Sequence, residues 1–275
     1  MTDHESSSER AVHIVTGGGT GIGAATAAAL AAAGGEVVIC GRRPDVLDAV
    51  AERTGAHPVV VDLQTTHGAA DLIEATLARF GRLDGLVLNA GIVRAGTVAD
   101  LAEAQWKDMV ETNLTAPFRL LHNALPHLVE SRGAVVGVGS VSAIRASAGT
   151  CGYNATKAGF SMLIQSVAID HGPSGVRANV VCPGWTRTEM ADAEMAELAE
   201  ERRIGVDEAY QLATAAVPLA RAADAGEVAA LIAWLLSPAA SYINAAVIPV
   251  DGGHSGVDVG TLAYDQRVSL SSVHR

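Results

Sequence analysis

Seven short apolar runs punctuate this sequence, and their spacing constrains the fold more than any other feature. Each run contains four or five residues, is rich in β-branched side chains and carries few polar ones. Continuous apolar runs of this length are typical of strands that are covered on both faces, as in a parallel sheet. The predicted strands are Val12–Thr16, Glu36–Cys40, Pro58–Val61, Gly85–Leu88, Ala134–Val138, Arg177–Val181 and Val247–Val250.

The stretches between these runs are long enough for crossover helices. Helical patterns cover about 21–34, 44–54, 67–80, 103–131, 152–171 and 226–237. Alternation of strand and helix predicts a single Rossmann-type, doubly wound α/β domain, with a seven-stranded parallel sheet and helices on both faces. We assign this domain to residues 11–253, after a disordered leader at 1–10 and before a C-terminal tail at 254–275.

Composition excludes several classes of function. The formal net charge is −11 and no Lys/Arg cluster offsets it, so nucleic acid and anionic membranes are poor partners. The N-terminal residues lack the apolar segment of a signal peptide, and no apolar run reaches the roughly 18 residues of a membrane span. Three widely spaced cysteines fit free thiols in a reducing compartment. We therefore expect a cytoplasmic protein, and the spacing of the nine histidines predicts no metal site.

A glycine-rich segment, Thr16–Gly23, directly follows the first predicted strand and opens the first predicted helix. Glycine permits a tight turn and lets the backbone approach a pyrophosphate, whose charge the helix N-terminus favours. The alternative is a tight turn with no ligand. Its position favours dinucleotide binding, with contacts from Gly17, Gly19, Thr20, Gly21, Ile22 and Gly23.

Further motifs follow in a fixed order: Asp62-Leu63, Asn89-Ala90-Gly91, Asn113, Ser140, Tyr153-x-x-x-Lys157, Pro183-Gly184-x-x-x-Thr188 and Val250-Asp251-Gly252-Gly253. Together with the glycine loop, this series resembles the short-chain dehydrogenase/reductase (SDR) family over about residues 11–253. The branch it resembles contains ketoacyl reductases and secondary-alcohol dehydrogenases. The resemblance implies an NAD(P)-dependent oxidoreductase that transfers a hydride between the nicotinamide and a ketone or secondary alcohol.

The predicted catalytic residues are Asn113, Ser140, Tyr153 and Lys157. Tyr153 and Lys157 are four residues apart and share one helix face. An adjacent ammonium stabilises a phenolate, so we expect a lowered pKa at Tyr153 and a role as general acid and base. Ser140 follows a predicted strand and can bind the substrate oxygen, with Ser142 as the competing serine. The resemblance implies that Asn113 positions a water linking Lys157 to solvent.

The end of the second strand bears on cofactor choice. Gly41 stands where NAD-binding chains carry an acidic residue, and Arg42 follows it. Arg42 can pair with a 2′-phosphate, which favours NADP over NAD, although a solvated arginine is the alternative. The resemblance adds further cofactor contacts, for which turn and helix-cap roles remain alternatives. They are Asp62, Leu63, Asn89, Ala90, Gly91, Tyr153, Lys157, Pro183, Gly184, Thr186 and Thr188.

The substrate pocket is predicted to be mostly apolar and suited to a hydrophobic or ring-containing ketone or alcohol. Core packing is the alternative for each of its candidate residues. Residues 188–217 form either a lid over this pocket or an ordinary extra helix pair. The candidates are Ser142, Ile144, Cys151, Trp185 and Met190, with Met195, Ile92 and Val93 as further members.

Assembly and carrier binding are also predicted. Small residues on the helix at 152–171 favour close packing of two copies, hence a homodimer or homotetramer. A catalytically silent dinucleotide-sensing or scaffold protein on the same fold is the alternative function, and the complete catalytic set favours the enzyme. Five arginines either bind an acyl carrier or coenzyme A, or are solvated. They are Arg94, Arg145, Arg187, Arg202 and Arg203.

Overall fold

The apolar runs form one seven-stranded parallel sheet, as predicted, in the computed structural model, which describes residues 10–265. The strands are β1 (Val12–Thr16), β2 (Glu36–Gly41), β3 (His57–Val60), β4 (Gly85–Leu88), β5 (Ala134–Val138), β6 (Arg177–Pro183) and β9 (Val247–Val250), and a separate short pair consists of β7 (Thr186–Arg187) and β8 (Ala223–Asp224). The sheet order is β3-β2-β1-β4-β5-β6-β9. The order reverses direction between β1 and β4, and ligands bind beyond the carboxyl ends of the strands at such a point.

Helices cover both faces of the sheet. They are α1 (Gly21–Ala32), α2 (Pro44–Thr54), α3 (Gly68–Phe80), α4 (Glu103–Val110), α5 (Ala116–Ser131), α6 (Cys151–His171), α7 (Glu189–Arg202), α8 (Val206–Thr214) and α9 (Ala225–Leu236). Neighbouring residues of β1 point to opposite cores. Ile14 packs with α3, α5 and α6, whereas Val15 packs with α1, α2 and α9. This double coverage explains the unbroken apolar runs and confirms the doubly wound fold.

The long helix predicted at 103–131 is interrupted. A π-helical segment, Glu111–Thr115, separates α4 from α5 and contains the buried Asn113. Pro117 stands four residues after Asn113 and has no N–H group, so the usual α-helical donor to the Asn113 carbonyl is missing. Such π-bulges are frequent at functional sites.

The segment at 188–217 folds into α7 and α8, which form a small core of their own. Met195 is only 2% exposed within this core. The prediction that Met195 lines the substrate pocket is therefore wrong, because its side chain joins the two helices.

The two ends of the chain are only partly described. Residues 1–9 of the predicted leader and 266–275 of the predicted tail lie outside the described residues. Arg10 forms an ion pair with Glu36 at 2.8 Å, and the tail begins with the short turns His254–Gly256 and Val259–Tyr264. Between residues 10 and 265, no helix combines the length and apolar character needed to cross a membrane.

A buried histidine lies in the centre of the sheet. His13 on β1 is 8% exposed, and its Nδ1 atom has no hydrogen-bond partner in the described part of the chain. A Cβ atom on Gly85 would stand 2.2 Å from Nδ1, and one on Gly35 would stand 2.9 Å from the ring carbon Cδ2. The two glycines thus make room for the ring. Burial lowers the pKa of His13, and the nearby Asp84 only partly opposes this effect.

His13→Leu is expected to reduce the loss of stability on acidification. The folded chain holds His13 neutral, whereas the unfolded chain protonates it near pH 6.5, so the free energy of unfolding falls as the pH drops below about 6.5. One group contributes at most about 1.4 kcal/mol per pH unit. Urea unfolding between about pH 7.5 and 5 measures the slope, and the exposed His67 supplies the control variant His67→Leu. An identical slope in His13→Leu and the unmodified protein would contradict the prediction.

Candidate active site

The loop after β1 forms a cradle for an anion. Gly17 and Gly21 adopt positive φ angles of 63° and 50°. Within the described chain, no side chain caps the N-terminus of α1, and its first turn carries no acidic residue. The free N–H groups of that turn fit a pyrophosphate. A Cβ atom on Gly23 would stand 2.2 Å from the Gly17 oxygen, so Gly23 permits the close loop–helix contact and lies behind the cleft.

The end of β4 holds this loop in place. Thr16 Oγ1 accepts hydrogen bonds from the N–H groups of Asn89 and Ala90 at 2.9 and 3.0 Å. The Asn89 side chain donates to the backbone oxygens of Thr16 and Gly17 at 2.9 and 3.3 Å. Asn89 therefore orders the loop, a role that the sequence did not reveal. Ala90 and Gly91 line the cleft beside it.

One half of the cleft lies between the ends of β1, β2, β3 and β4. The walls of this half have no carboxylate from β2, because Gly41 ends that strand. Arg42 is exposed, and its side chain forms no hydrogen bond and no ion pair with the described residues. Asp62 accepts a hydrogen bond from the Gln64 N–H at 3.0 Å, so it caps a turn while bordering the cleft. Other predicted cofactor residues bordering this half are Gly17, Gly19, Thr20 and Leu63.

The other half of the cleft is built where β5, β6 and α6 meet. The side chains of Tyr153 and Ser140 both border this half of the cleft. Burial raises the pKa of Tyr153 to about 12, while the Ser140 hydroxyl lowers it and the charge of Glu194 raises it. Lys157 was expected to lower the pKa of Tyr153. In the structure the pKa of Tyr153 is raised instead, because desolvation of the phenol dominates.

Lys157 anchors the catalytic helix to the sheet. Its buried Nζ atom donates to the backbone oxygen of Val138 at 2.8 Å, at the end of β5. It lies 5.7 Å from the centre of the Tyr153 ring and 5.5 Å from that of Phe160. Burial lowers the pKa of Lys157 to about 8. The four-residue spacing thus places both groups in one cleft, as predicted, and no direct bond joins them within the described chain.

Asn113 connects the π-helical segment to its neighbours. Its Oδ1 atom accepts from the Ile92 N–H at 2.8 Å, and Nδ2 donates to the Ile92 oxygen at 2.9 Å. Nδ2 also donates to Thr156 Oγ1 at 3.1 Å, and Thr156 donates to the Tyr153 backbone oxygen. A Cβ atom on Gly91 would stand 3.3 Å from Asn113 Oδ1 and 3.4 Å from Lys157 Nζ. Asn113 is therefore close to Lys157, and its side-chain hydrogen bonds hold the backbone of Ile92 and the hydroxyl of Thr156 in place.

The segment after β6 closes the cleft on the far side. Thr188 Oγ1 accepts from the Ala191 N–H at 3.2 Å and so caps α7, which is the alternative role given to it. A Cβ atom on Gly21 would stand 2.9 Å from Thr188 Cγ2, so this cap faces the glycine loop. Lining residues on this side include Ile22, Pro183, Gly184, Thr186 and Thr188.

Three of the five predicted substrate residues border this half of the cleft: Ser142, Trp185 and Met190. Ile144 and Cys151 do not, which corrects that prediction. Ile144 ends the short turn after β5, beyond Ser142, and the N–H of Cys151 is bound to the backbone of Gly96 at 3.2 Å. Of the further candidates, Val93 lines this half and Ile92 lines the other.

Sequence reasoning missed several polar side chains that border the cleft. Glu194 lies one turn after Met190 on α7. Because Met190 was already a candidate, helical spacing could have identified Glu194. The loop between β5 and α6 gave no comparable signal. The other missed polar residues on this side of the cleft are Ser147, Thr150, Glu189 and His254.

Three of the five arginines considered as contacts for an acyl carrier or coenzyme A have acidic partners. Arg94 pairs with Asp108 at 3.0 Å, and Arg187 pairs with Asp207 at 2.7 Å. The contact of Arg202 with Glu201 is longer, at 3.7 Å. Arg145 and Arg203 form no ion pair in the described chain. Residues 10–265 also contain no group of three or more His, Cys, Asp or Glu side chains that could hold a metal ion.

Comparisons with known proteins identify the family of this chain. The model of a family described as enoyl-(acyl carrier protein) reductase matches residues 17–255. MoaE of Klebsiella aerogenes is 41% identical over 92% of this chain and 98% of its own length. Levodione reductase of Leifsonia aquatica is 35% identical over 89% of this chain and 94% of its own length.

Solved structures extend the agreement to the fold. The crystal structure of levodione reductase matches with a TM-score of 0.86 at 34% identity, covering 91% of this chain and 99% of that one. A crystal structure of a variant actinorhodin polyketide ketoreductase with NADPH also gives 0.86, at 30% identity and 90% and 98% coverage. The chain therefore belongs to the short-chain dehydrogenase/reductase family of NAD(P)-dependent oxidoreductases, which act on ketones and alcohols.

Proposed function

We propose that this protein is an NADP-dependent ketone reductase and secondary-alcohol dehydrogenase with Tyr153 as its acid and base. The observation that carries the proposal is the shared cleft. Tyr153 and Ser140 lie in one cleft with Lys157 and with the glycine loop. A silent scaffold has no need for a half-buried phenol and a buried ammonium in the same cleft, since desolvation of each has a cost.

The proposed chemistry couples a proton to a hydride. When bound, the nicotinamide ring gives or accepts the hydride at the carbon of the substrate C–O group. Tyr153 donates its phenolic proton to the carbonyl oxygen in reduction and takes a proton from the alcohol in oxidation. Ser140 binds the same oxygen, and the ammonium of Lys157 stabilises the phenolate that forms. A pKa of about 12 keeps Tyr153 protonated at neutral pH, which is the form that donates the proton in reduction.

Asn113 and Val138 act through other groups. Asn113 fixes the loop at Ile92 on one side of Lys157, and the Val138 oxygen holds the Lys157 ammonium directly. The Asn113 carbonyl, left without its α-helical donor by Pro117, supports the proposed water link from Lys157 to solvent. These residues therefore position the catalytic pair.

Tyr153→Phe is expected to reduce kcat for ketone reduction by about 100-fold or more, because the proton donor is lost. NADPH binding should change little, since the ring remains. The absorbance of the nicotinamide measures turnover, and NADPH fluorescence measures binding. Tyr242, which is fully exposed, supplies the control Tyr242→Phe. Full activity in Tyr153→Phe would remove Tyr153 from the mechanism.

The preference for NADP rests on charge at the end of β2. Gly41 presents no carboxylate to repel a 2′-phosphate, and the neighbouring Arg42 borders the same part of the cleft. The free guanidinium of Arg42 can bind that phosphate through two hydrogen bonds. Arg43, by contrast, is paired with Glu189 at 3.0 Å. The related ketoreductase structure with NADPH agrees with this preference.

Arg42→Asp is expected to lower the ratio of kcat/KM for NADPH over NADH by about tenfold or more, because a charge-assisted bond is replaced by repulsion. The same ketone is reduced with each cofactor. Arg53→Asp, at the far end of α2, makes the same charge change on an exposed surface and should leave the ratio unaltered. An unchanged ratio in Arg42→Asp would eliminate the proposed phosphate contact.

The substrate side supports a free small molecule rather than a carrier-bound one. Trp185, Met190 and Val93 supply apolar walls, and α7 borders the cleft as a lid would. Arg94, Arg187 and Arg202 all have acidic partners, which leaves them poorly available for an acidic carrier. We therefore infer a small, free ketone as substrate, with a hydrophobic or ring-containing part against these apolar walls.

Assembly and location remain predictions. The outer surface of α5 and α6 exposes Phe118, Met162 and Ile169, each more than half exposed. Exposed apolar side chains on two adjacent helices favour association of identical subunits. A homodimer or homotetramer in the cytoplasm stays our proposal on these grounds.

A further inference from the structure

A carboxylate without a partner lies beside the catalytic tyrosine. Glu194 on α7 borders the cleft with Tyr153 and Ser140, and it is partly buried. Among the described residues it forms no hydrogen bond and no ion pair. Burial raises its pKa, and repulsion by Glu197 adds to the rise. A positive charge delivered to the cleft would relieve both penalties.

The basic groups that border the Tyr153 half of the cleft, or pair with Glu189 there, are engaged elsewhere. Lys157 donates to Val138, and the charge of Glu194 does not contribute to its lowered pKa. Arg43 pairs with Glu189, the first residue of the same helix. His254 lies near Asp251, whose pKa its charge lowers. The chain therefore supplies no cation to Glu194 from its described residues.

Glu194 also acts on the reacting group. It borders the same half of the cleft as Tyr153, and its charge raises the pKa of Tyr153. Trp185 lines the same cleft, and aromatic rings attract cations through their faces. A carboxylate and an aromatic ring together are a common environment for a bound ammonium group.

We propose that the substrate is an amino ketone or amino alcohol, and that Glu194 binds its ammonium group while Tyr153 serves its carbonyl or hydroxyl oxygen. This inference rests on the proposed function and deepens it by naming the substrate class. The ammonium lies on the α7 side of the reacting carbon. Glu194 only binds the ammonium group, so the proton and hydride transfers remain those of the proposed function.

Paired substrates test the proposal directly. 1-Aminopropan-2-one and butan-2-one have the same skeleton, with an ammonium in place of a methyl group, and 4-aminobutan-2-one and pentan-2-one form a second pair. We expect kcat/KM to be about tenfold or more higher for the ammonium member of at least one pair, measured with NADPH. Equal or better reduction of both neutral ketones would overturn the inference and leave the proposed function standing.

Variants on α7 locate the effect. Glu194→Gln should abolish the preference, because the amide carries no charge. Glu200→Gln makes the same change at an exposed position of the same helix and should keep it. Loss of the preference in both variants would indicate a general field of the helix and would overturn the assignment to Glu194, as would its retention in Glu194→Gln.

A binding measurement separates this inference from the proposed function. Calorimetry with Tyr153→Phe and NADP compares 1-aminopropan-2-ol with butan-2-ol, so no turnover is needed. Tighter binding of the amino alcohol that disappears in the double variant with Glu194→Gln supports the inference even if no ketone is reduced. Equal binding of the two alcohols overturns it.

Discussion

The hydrogen bond between Lys157 and the backbone of Val138 is the contact on which the active site depends. It ties the middle of the catalytic helix to the last residue of a central strand, at a distance of 2.8 Å between Nζ and the oxygen. The Lys157 side chain is buried, so a lost bond would leave a desolvated charge without a partner. The position of Tyr153, one turn before Lys157, follows from this anchor.

Hydrogen bonds from side chains to backbone also hold the loops that border the predicted cofactor cleft. Thr16 and Asn89 stand at the ends of β1 and β4, which pair in the sheet, and their side chains bond to each other's backbone. The glycine loop between them can therefore keep its positive φ angles without side chains of its own. Asn113 holds the loop at Ile92 through hydrogen bonds to its backbone, as Asn89 holds the glycine loop. Two asparagines thus fix the two loops that border the cleft.

The strand pattern predicted the fold because burial on both faces leaves a continuous apolar signal that is hard to imitate. Val12–Thr16, Gly85–Leu88, Ala134–Val138 and Val247–Val250 were predicted with their observed bounds. The interruption of the helix at Glu111–Thr115 was not predicted, because helical periodicity does not register one inserted residue. Only the missing N–H group of Pro117 pointed to it.

The site residues also differ in how far the sequence could predict them. Tyr153, Lys157 and Ser140 were predicted from fixed offsets to a strand or helix end, and the structure brings these three residues to one cleft. Cys151, Ile144 and Met195 were misassigned, since the direction of an apolar side chain depends on packing that the sequence does not record. Met195, for example, fills the core between α7 and α8 rather than the cleft.

Burial has opposite effects on the two ionisable catalytic groups, and this bears on the direction of proton transfer. It raises the pKa of Tyr153 to about 12 and lowers that of Lys157 to about 8, so at neutral pH the phenol is neutral and Lys157 is still mostly an ammonium. A proton leaving Tyr153 creates an anion near a cation, and the attraction between them grows as water is excluded. The low dielectric that opposes the isolated phenolate therefore stabilises the ion pair. The expected influence of Lys157 on Tyr153 belongs to the step in which the proton moves, rather than to the resting phenol.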